Sequence, residues 1–76
     1  MKFNPLTREI SWEITKNATS YQLESSNDGE NFVEIYAGPE NSFIYPAELT
    51  SNIYFRCRAR NANGYGKFCG KIEVNV

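Results

Sequence analysis

Histidine is absent from this chain of 76 residues, and cysteine occurs only twice. The chain therefore lacks the commonest general base and the commonest zinc ligand. Cys57 and Cys69 alone cannot complete a structural zinc site, which takes four ligands. The serines, threonines and carboxylates show no nucleophile–base motif, and a domain this small has little room for a pocket. We expect no enzyme, no cofactor and no small-molecule substrate.

Long apolar runs are missing too, because no stretch approaches the ~20 residues that span a bilayer. The N-terminus also lacks the charged, apolar and small residues that follow one another in a signal peptide. We expect no membrane insertion. The chain would then be a cytosolic product or part of an assembly such as a virion, or extracellular if it belongs to a longer protein.

No segment has a helical apolar period of useful length, whereas alternation with a period of two recurs along the chain. It is clearest from Ile53 to Arg60. One face carries Ile53, Phe55, Cys57 and Ala59, and the other carries Tyr54, Arg56, Arg58 and Arg60. Residues 61–66 then supply asparagine and glycine, which permit positive φ and favour a turn. This stretch predicts a strand and the start of a hairpin that closes with Phe68–Val76.

Four further strands are predicted, at Glu9–Thr15, Ser20–Ser26, Phe32–Tyr36 and Ser42–Tyr45. Asp28-Gly29 predicts a tight hairpin turn between two of them. Six or seven short strands separated by turn signals indicate one all-β domain over residues 1–76, a two-sheet antiparallel sandwich. The predicted core consists of Ile10, Trp12, Ile14, Tyr21, Leu23, Ile35, Leu49, Ile53, Phe55, Ala59, Ile72 and Val74.

Several short motifs have a family likeness when taken in order. They are S-W-E around Trp12, S-Y-Q-L around Tyr21, D-G-E-N-F, and the run Y-F-R-C-R-A-R-N-A-N-G-Y-G. From about Glu9 to Val76 the chain resembles a fibronectin type III domain, an immunoglobulin-like sandwich. The resemblance places Trp12 and Tyr21 on the second and third strands. It makes the long run the sixth strand and the loop to the seventh.

The chain departs from that family at three places. Ile53 stands where a tyrosine usually secures the corner before the sixth strand, and Tyr54 points the other way, so we expect apolar packing there. The first strand is short, since only eleven residues precede Trp12. Cys57 replaces the usual valine. The integrin-binding Arg-Gly-Asp that some relatives carry in the loop after the sixth strand does not occur in this sequence.

The net charge of −1 gives no general attraction to nucleic acid, but the charges are unevenly placed. Residues 1–55 hold three basic and eight acidic side chains, and residues 56–76 hold five basic and one acidic. The stripe of basic side chains could meet phosphate. The favoured interpretation is that it pairs with acidic neighbours such as Glu24. The stripe consists of Arg56, Arg58, Arg60, Lys67 and Lys71.

The tip formed by residues 61–66, with Asn63 and Tyr65, is the other candidate for partner binding. Tyrosine offers a large contact area at low entropic cost, so Tyr65 between two glycines would suit an anchor. The alternative is that its ring folds back over the hairpin. The Asp28 turn could offer oxygens to calcium, but it lacks the ligand number of a calcium loop, and a plain turn is favoured.

Cys57 and Cys69 fall on strands that should pair, with the turn centred near Asn63. A disulfide between them is possible in this geometry if a bulge near Gly70 corrects their opposite parity. Since no signal peptide is present, reduced thiols packed as small apolar groups are favoured.

The short first strand suggests a place for a partner. If residues 2–6 leave the strand around Ile10–Ile14 uncovered, a partner chain could add a strand there. The alternative is that Phe3 and Leu6 complete the sheet within the chain.

These patterns together predict a non-enzymatic structural module that binds another protein. One version is an accessory or decoration subunit of a larger assembly such as a phage-like virion. Another is an excised spacer or adhesion module of a longer extracellular protein or carbohydrate-active enzyme. A small nucleic-acid-binding protein that uses Arg56, Arg58 and Arg60 is the alternative from a different class.

Overall fold

The computed structural model describes residues 1–66, 68 and 71–75. These residues form eight β-strands and no helix, so no helix in the described part of the chain could cross a membrane. The strands are β1 (Lys2–Asn4), β2 (Glu9–Ser11), β3 (Ser20–Ser26), β4 (Val33–Gly38), β5 (Ser42–Ile44), β6 (Ile53–Asn61), β7 (Gly64–Tyr65) and β8 (Lys71–Val74).

The strands pair into two antiparallel sheets. In the three-stranded sheet β2 lies between β1 and β5. In the five-stranded sheet the order is β4-β3-β6, and the other edge of β6 pairs with both β7 and β8. The predicted all-β class with two antiparallel sheets is therefore confirmed. The hairpin predicted after β6 also forms, with Asn61 opposite Gly64 and Arg60 opposite Tyr65.

The inner faces of the two sheets share one core. Aromatic rings bridge the sheets: Phe3 of β1 stacks on Phe55 of β6 with ring centroids 6.2 Å apart, and Trp12 meets Tyr21 edge-on at 5.8 Å. Such aromatic pairs contribute roughly 0.5–1.5 kcal/mol beyond the area they bury. The buried apolar residues are Ile10, Trp12, Tyr21, Leu23, Ile53, Phe55 and Cys57. The half-buried residues packed against them include Ile35, Leu49, Ala59, Ile72 and Val74, so these positions of the predicted core are confirmed.

Ile14 is the exception, because its side chain is 76% exposed. The predicted strand Glu9–Thr15 ends at Ser11, opposite Ser42 at the start of the three-residue strand β5. Beyond that point Asn41 takes the place of a strand partner: its carbonyl accepts the Trp12 N–H at 3.0 Å, and its side-chain amide donates to the Trp12 carbonyl at 2.9 Å. The alternation of apolar residues continues in the sequence beyond the last residue that pairs with β5. Ile14 therefore lies outside the strand, and the prediction that it belongs to the core is wrong.

The corner before β6 has the apolar character that the sequence predicts. Ile53 is only 4% exposed and belongs to the core. The adjacent Tyr54 lies on the outer face, where its hydroxyl donates to the Glu73 carboxylate at 3.1 Å. Leu49 packs under the core from the crossover between β5 and β6, as expected.

Candidate functional site

The outer face of the five-stranded sheet carries the alternate side chains of β6 in register with those of β3. Because successive residues of a strand point to opposite faces, burying Phe55 and Cys57 turns the β6 arginines outward. On β3 the residue opposite Arg56 is Glu24, and the residue opposite Arg58 is Gln22. Polar partners therefore lie within reach of both arginines.

Arg56 is held on three sides. Its guanidinium carbon lies 4.0 Å from the centroid of the Phe32 ring and 4.0 Å from that of Phe68. Its Nη2 and Nε lie 2.7 and 2.8 Å from Oε1 of Glu24, whose side chain is 13% exposed. The interpretation that this arginine pairs with Glu24 is confirmed. A planar, weakly hydrated guanidinium suits such a position, since it can stack on rings and bind a carboxylate in its plane.

Arg58 and Arg60 continue the same stacked row. Arg58 lies 4.7 Å from the Phe68 centroid and 4.0 Å from that of Tyr65, and Arg60 lies 5.6 Å from Tyr65. The Nε of Arg58 also donates to Gln22 at 2.6 Å. Rings and guanidinium groups thus alternate along the sheet. We call this row the arginine–aromatic ladder, made of Phe32, Arg56, Phe68, Arg58, Tyr65 and Arg60.

The ladder brings together four of the five residues predicted to meet a partner: Arg56, Arg58, Arg60 and Tyr65. Tyr65 folds back over the arginines, yet it remains 47% exposed. The fifth, Asn63, is exposed at the tip, where its N–H donates to the Asn61 side chain at 2.8 Å. Gly64 beside it has φ 114°, a conformation that side chains rarely adopt.

Phe32 and Phe68 were not among the predicted site residues. The sequence places Phe32 in the predicted strand Phe32–Tyr36, whereas β4 begins one residue later. Phe68 precedes β8, so its face cannot be counted from that strand's alternation. In the sequence, the ladder is indicated only by a run of outward arginines and by aromatic residues elsewhere in the chain. This pattern does not identify the rings that stack on the arginines.

Cys57 is buried on the inner face of β6, at 2% exposure. The sequence favours reduced thiols over a disulfide between Cys57 and Cys69; Cys69 and the bulge proposed near Gly70 lie outside the described residues. Lys67 of the predicted basic stripe lies outside them as well.

A second ordered feature is the loop of residues 27–32 between β3 and β4, longer than the tight turn predicted. Oδ1 of Asp28 accepts the N–H groups of Glu30 and Asn31, each at 2.8 Å, and the Ser26 hydroxyl at 2.7 Å. Its other oxygen accepts the Asn31 side-chain amide at 2.7 Å. Gly29 has φ 79°, which the loop needs to reverse direction. Both carboxylate oxygens therefore serve the loop itself, and the described residues include no group of three His, Cys, Asp or Glu side chains that could hold a metal ion.

These hydrogen bonds, first those from the Asn31 and Glu30 backbone, hold the pKa of Asp28 far below its ordinary value of 3.8. A carboxyl with a lowered folded-state pKa binds its proton more readily when the chain is unfolded. Its stabilising contribution is therefore present above about pH 4 and is lost as the pH falls through the folded-state pKa.

We expect Asp28→Asn to lower the melting temperature at pH 7 and to flatten its decline under acid. The measurement is a series of thermal melts between pH 2 and pH 7. Glu30→Gln, in the same exposed loop, is the matched control, since no side-chain hydrogen bond of Glu30 supports the loop among the described contacts. Equal acid slopes for Asp28→Asn and the native chain would contradict this assignment.

The strand edge near Ile10–Ile14, which the sequence offers as a possible place for a partner, is occupied at Ile10. β1 and β5 pair with β2 on its two sides, with Phe3 and Phe43 both opposite Ile10. Phe3 thus completes the sheet within the chain, while Leu6 is 92% exposed. The outer strands of this sheet are β1 and β5, so an added strand would have to pair there.

Comparison of the chain with protein-family models, with curated proteins and with solved structures gave no match.

Proposed function

We propose that the chain is a non-enzymatic immunoglobulin-like module of the fibronectin type III kind that binds another protein. The strand order supports this assignment. In such sandwiches the first, second and fifth strands share one sheet, and the third, sixth and seventh share the other. Here β1, β2 and β5 form one sheet, and β3 and β6 with β7 and β8 form the other. β4 extends the β3 edge, as an added C′ strand does, instead of joining β5.

The arginine–aromatic ladder is the surface we propose for the partner. Tyrosine and arginine are the residue types most often found at the energetic centres of interfaces. The observation that carries the proposal is Tyr65, whose ring is half exposed yet fixed over Arg58 at 4.0 Å. A side chain already held in place loses less rotamer entropy on binding than a free one.

The ladder also indicates the chemistry of the partner. Glu24 already neutralises Arg56. Arg60 is exposed at the other end of the row, where its guanidinium carbon lies 5.6 Å from the centroid of the Tyr65 ring. A partner surface with a pocket for the tyrosine ring and a carboxylate beside it would complement this end. An accessory subunit of a phage-like virion or other assembly would use it to attach, and a spacer or adhesion module would use it to dock on its neighbours.

The proposal is tested by pull-down from the native source followed by titration of the recovered partner. We expect Tyr65→Ala to weaken binding at least about tenfold, as truncation of a central anchor does. Ile44→Ser is the matched control: Ile44 is 57% exposed on β5 of the opposite sheet, and its replacement should leave the affinity unchanged. If Tyr65→Ala binds as the native chain does, the ladder is not the binding surface.

Column chromatography addresses the alternative of nucleic-acid binding. Phosphate contacts would make retention on heparin or DNA columns fall steeply with salt. The ion pair between Arg56 and Glu24 makes nucleic-acid binding less favourable, because an arginine already paired with a carboxylate would release fewer counterions from the nucleic acid. A chain that passes both columns unretained at low salt would eliminate this alternative.

A further inference from the structure

The outer edge of β8 is open in the part of the chain that the structure describes. β8 pairs with β6 through Ile53–Val74, Tyr54–Glu73, Phe55–Ile72 and Arg56–Lys71. Among the described residues no strand pairs with its other side. The backbone N–H and C=O groups on that side are those that a further strand would use, and an unprotected edge of this kind is a template for pairing.

An open groove of about 820 Å³ runs beside this edge, between β8 and β1. Its apolar lining includes Phe3, Leu49, Ile72 and Val74, all half-buried at the margin of the core. A strand added to β8 would extend the five-stranded sheet and place its inward side chains over this groove. In the described part of the chain, the backbone groups of β8 that pair with no strand and the apolar side chains that line the groove therefore lie on the same side of the sheet edge.

The charges on β8 identify the occupant. Lys71 and Glu73 are exposed on the outer face of the strand, on either side of Ile72. When two copies of β8 pair antiparallel about Ile72, Lys71 of each copy faces Glu73 of the other, and the two Ile72 side chains lie together over the groove. The neighbouring register, with Ile72 opposite Val74, would place two Glu73 carboxylates face to face, which is unfavourable. Of these two registers, the charges of the four-residue strand therefore favour the one centred on Ile72.

We infer that the chain forms a two-fold symmetric dimer with a second copy of itself, through antiparallel pairing of β8 with β8. Two-fold symmetry makes the same patch serve both subunits, so each cross-strand ion pair occurs twice. The pairing uses four residues from each copy, far fewer than the roughly 20–30 residues a side of stable complexes, so we expect weak association with a dissociation constant on the order of 10⁻⁴ M. The dimer is independent of the ladder, so its absence would leave the proposed function unaffected, and failure of the ladder would not affect the dimer.

Charge reversal provides the test. In Lys71→Glu both outward positions are negative, and in Glu73→Lys both are positive, so each variant alone should repel its own copy. We expect each to dimerise at least about tenfold more weakly than the native chain in sedimentation equilibrium. Mixed in equal amounts, the two variants should form a heterodimer, because the two negative positions of one copy then face the two positive positions of the other.

Three results would overturn the inference. The native chain could stay monomeric up to about 1 mM. The single variants could self-associate as the native chain does, or the mixture of the two variants could form no heterodimer. Far-UV circular dichroism shows whether the variants fold, since Glu73 also accepts the Tyr54 hydroxyl. If either variant unfolds, hydrogen exchange on the native chain decides instead. The amides of β8 that point away from β6 should exchange more slowly as the protein concentration rises, and exchange independent of concentration would refute the dimer.

Discussion

Replacing Phe55 by alanine is expected to lower the free energy of unfolding by about 3–5 kcal/mol. Phe55 is fully buried, at 0% exposure, and it touches both sheets. Its ring stacks on Phe3 at 6.2 Å and meets Tyr45 edge-on at 5.8 Å, so alanine would leave a cavity between β1, β6 and the residue that follows β5. Folded domains have a free energy of unfolding of only about 5–15 kcal/mol, so the variant should lose a large fraction of its stability at 25 °C.

Urea unfolding followed by tryptophan fluorescence measures this effect, because Trp12 is the single tryptophan and is 6% exposed in the fold. Ile14→Ala is the matched control, because it also truncates a large apolar side chain. Ile14 is 76% exposed, so its loss should change the free energy by less than about 0.5 kcal/mol. Similar losses for the two variants would show that the sheets do not pack as described.

The second large effect is expected at Arg56. We expect Arg56→Ala to cost about 2 kcal/mol, the sum of two stacked ring contacts and one ion pair, each worth about 0.2–1 kcal/mol or somewhat more when partly desolvated. The variant also leaves the 13% exposed Glu24 carboxylate without its cation. Arg60→Ala is the control: Arg60 is exposed, and the cation–π contact recorded for it among the described residues is the one with Tyr65 at 5.6 Å, so the variant should cost less than about 0.5 kcal/mol.

A double-mutant cycle separates the ion pair from the stacking. Arg56→Ala, Glu24→Ala and the double variant are unfolded in urea at low and at high salt. We expect a coupling energy of about 0.5–1 kcal/mol that shrinks with salt, while the remainder of the Arg56 effect, due to Phe32 and Phe68, stays. A coupling near zero would mean that the ion pair observed between these side chains contributes nothing to stability.

The strand β6 illustrates what local sequence can predict. Its alternation of Ile53, Phe55 and Cys57 with polar residues identifies the inner face without knowledge of any other strand, because side-chain direction in a strand depends only on parity. The same argument located Tyr21 and Leu23 on β3. Where both partners of a strand pair are long, as for β3 and β6, the prediction from parity agrees with the structure.

Ile14 shows where the argument fails. Parity places it with Ile10 and Trp12, but a strand exists only as far as its neighbour extends, and β5 has only three residues. The irregular pairing of β3 with β4 is a similar case: the register shifts between Leu23 and Glu24, which changes the face on which later β4 residues lie. Neither length nor register of a partner strand is encoded near the residue that depends on it.

The candidate site divides in the same way. The outward arginines and Tyr65 are visible in the sequence, since they follow from the parity of β6 and from the glycines at the tip. The stacking of Phe32 and Phe68 on Arg56 is not, because these rings come from segments 24 residues before and 12 residues after it and meet only across the sheet. Whether the outer edge of β8 has a partner likewise depends on which strands reach it, and no strand of the described chain does.

Residue order along single strands was enough to establish the all-β class, the inner and outer faces of the long strands and most of the core, because side-chain direction is a local property. The packed fold was needed to establish where strands end, which rings stack on which arginines, and which strand edges lack a partner within the described residues. Those features arise from contacts between segments far apart in the chain, and their geometry exists only once the two sheets have formed and packed.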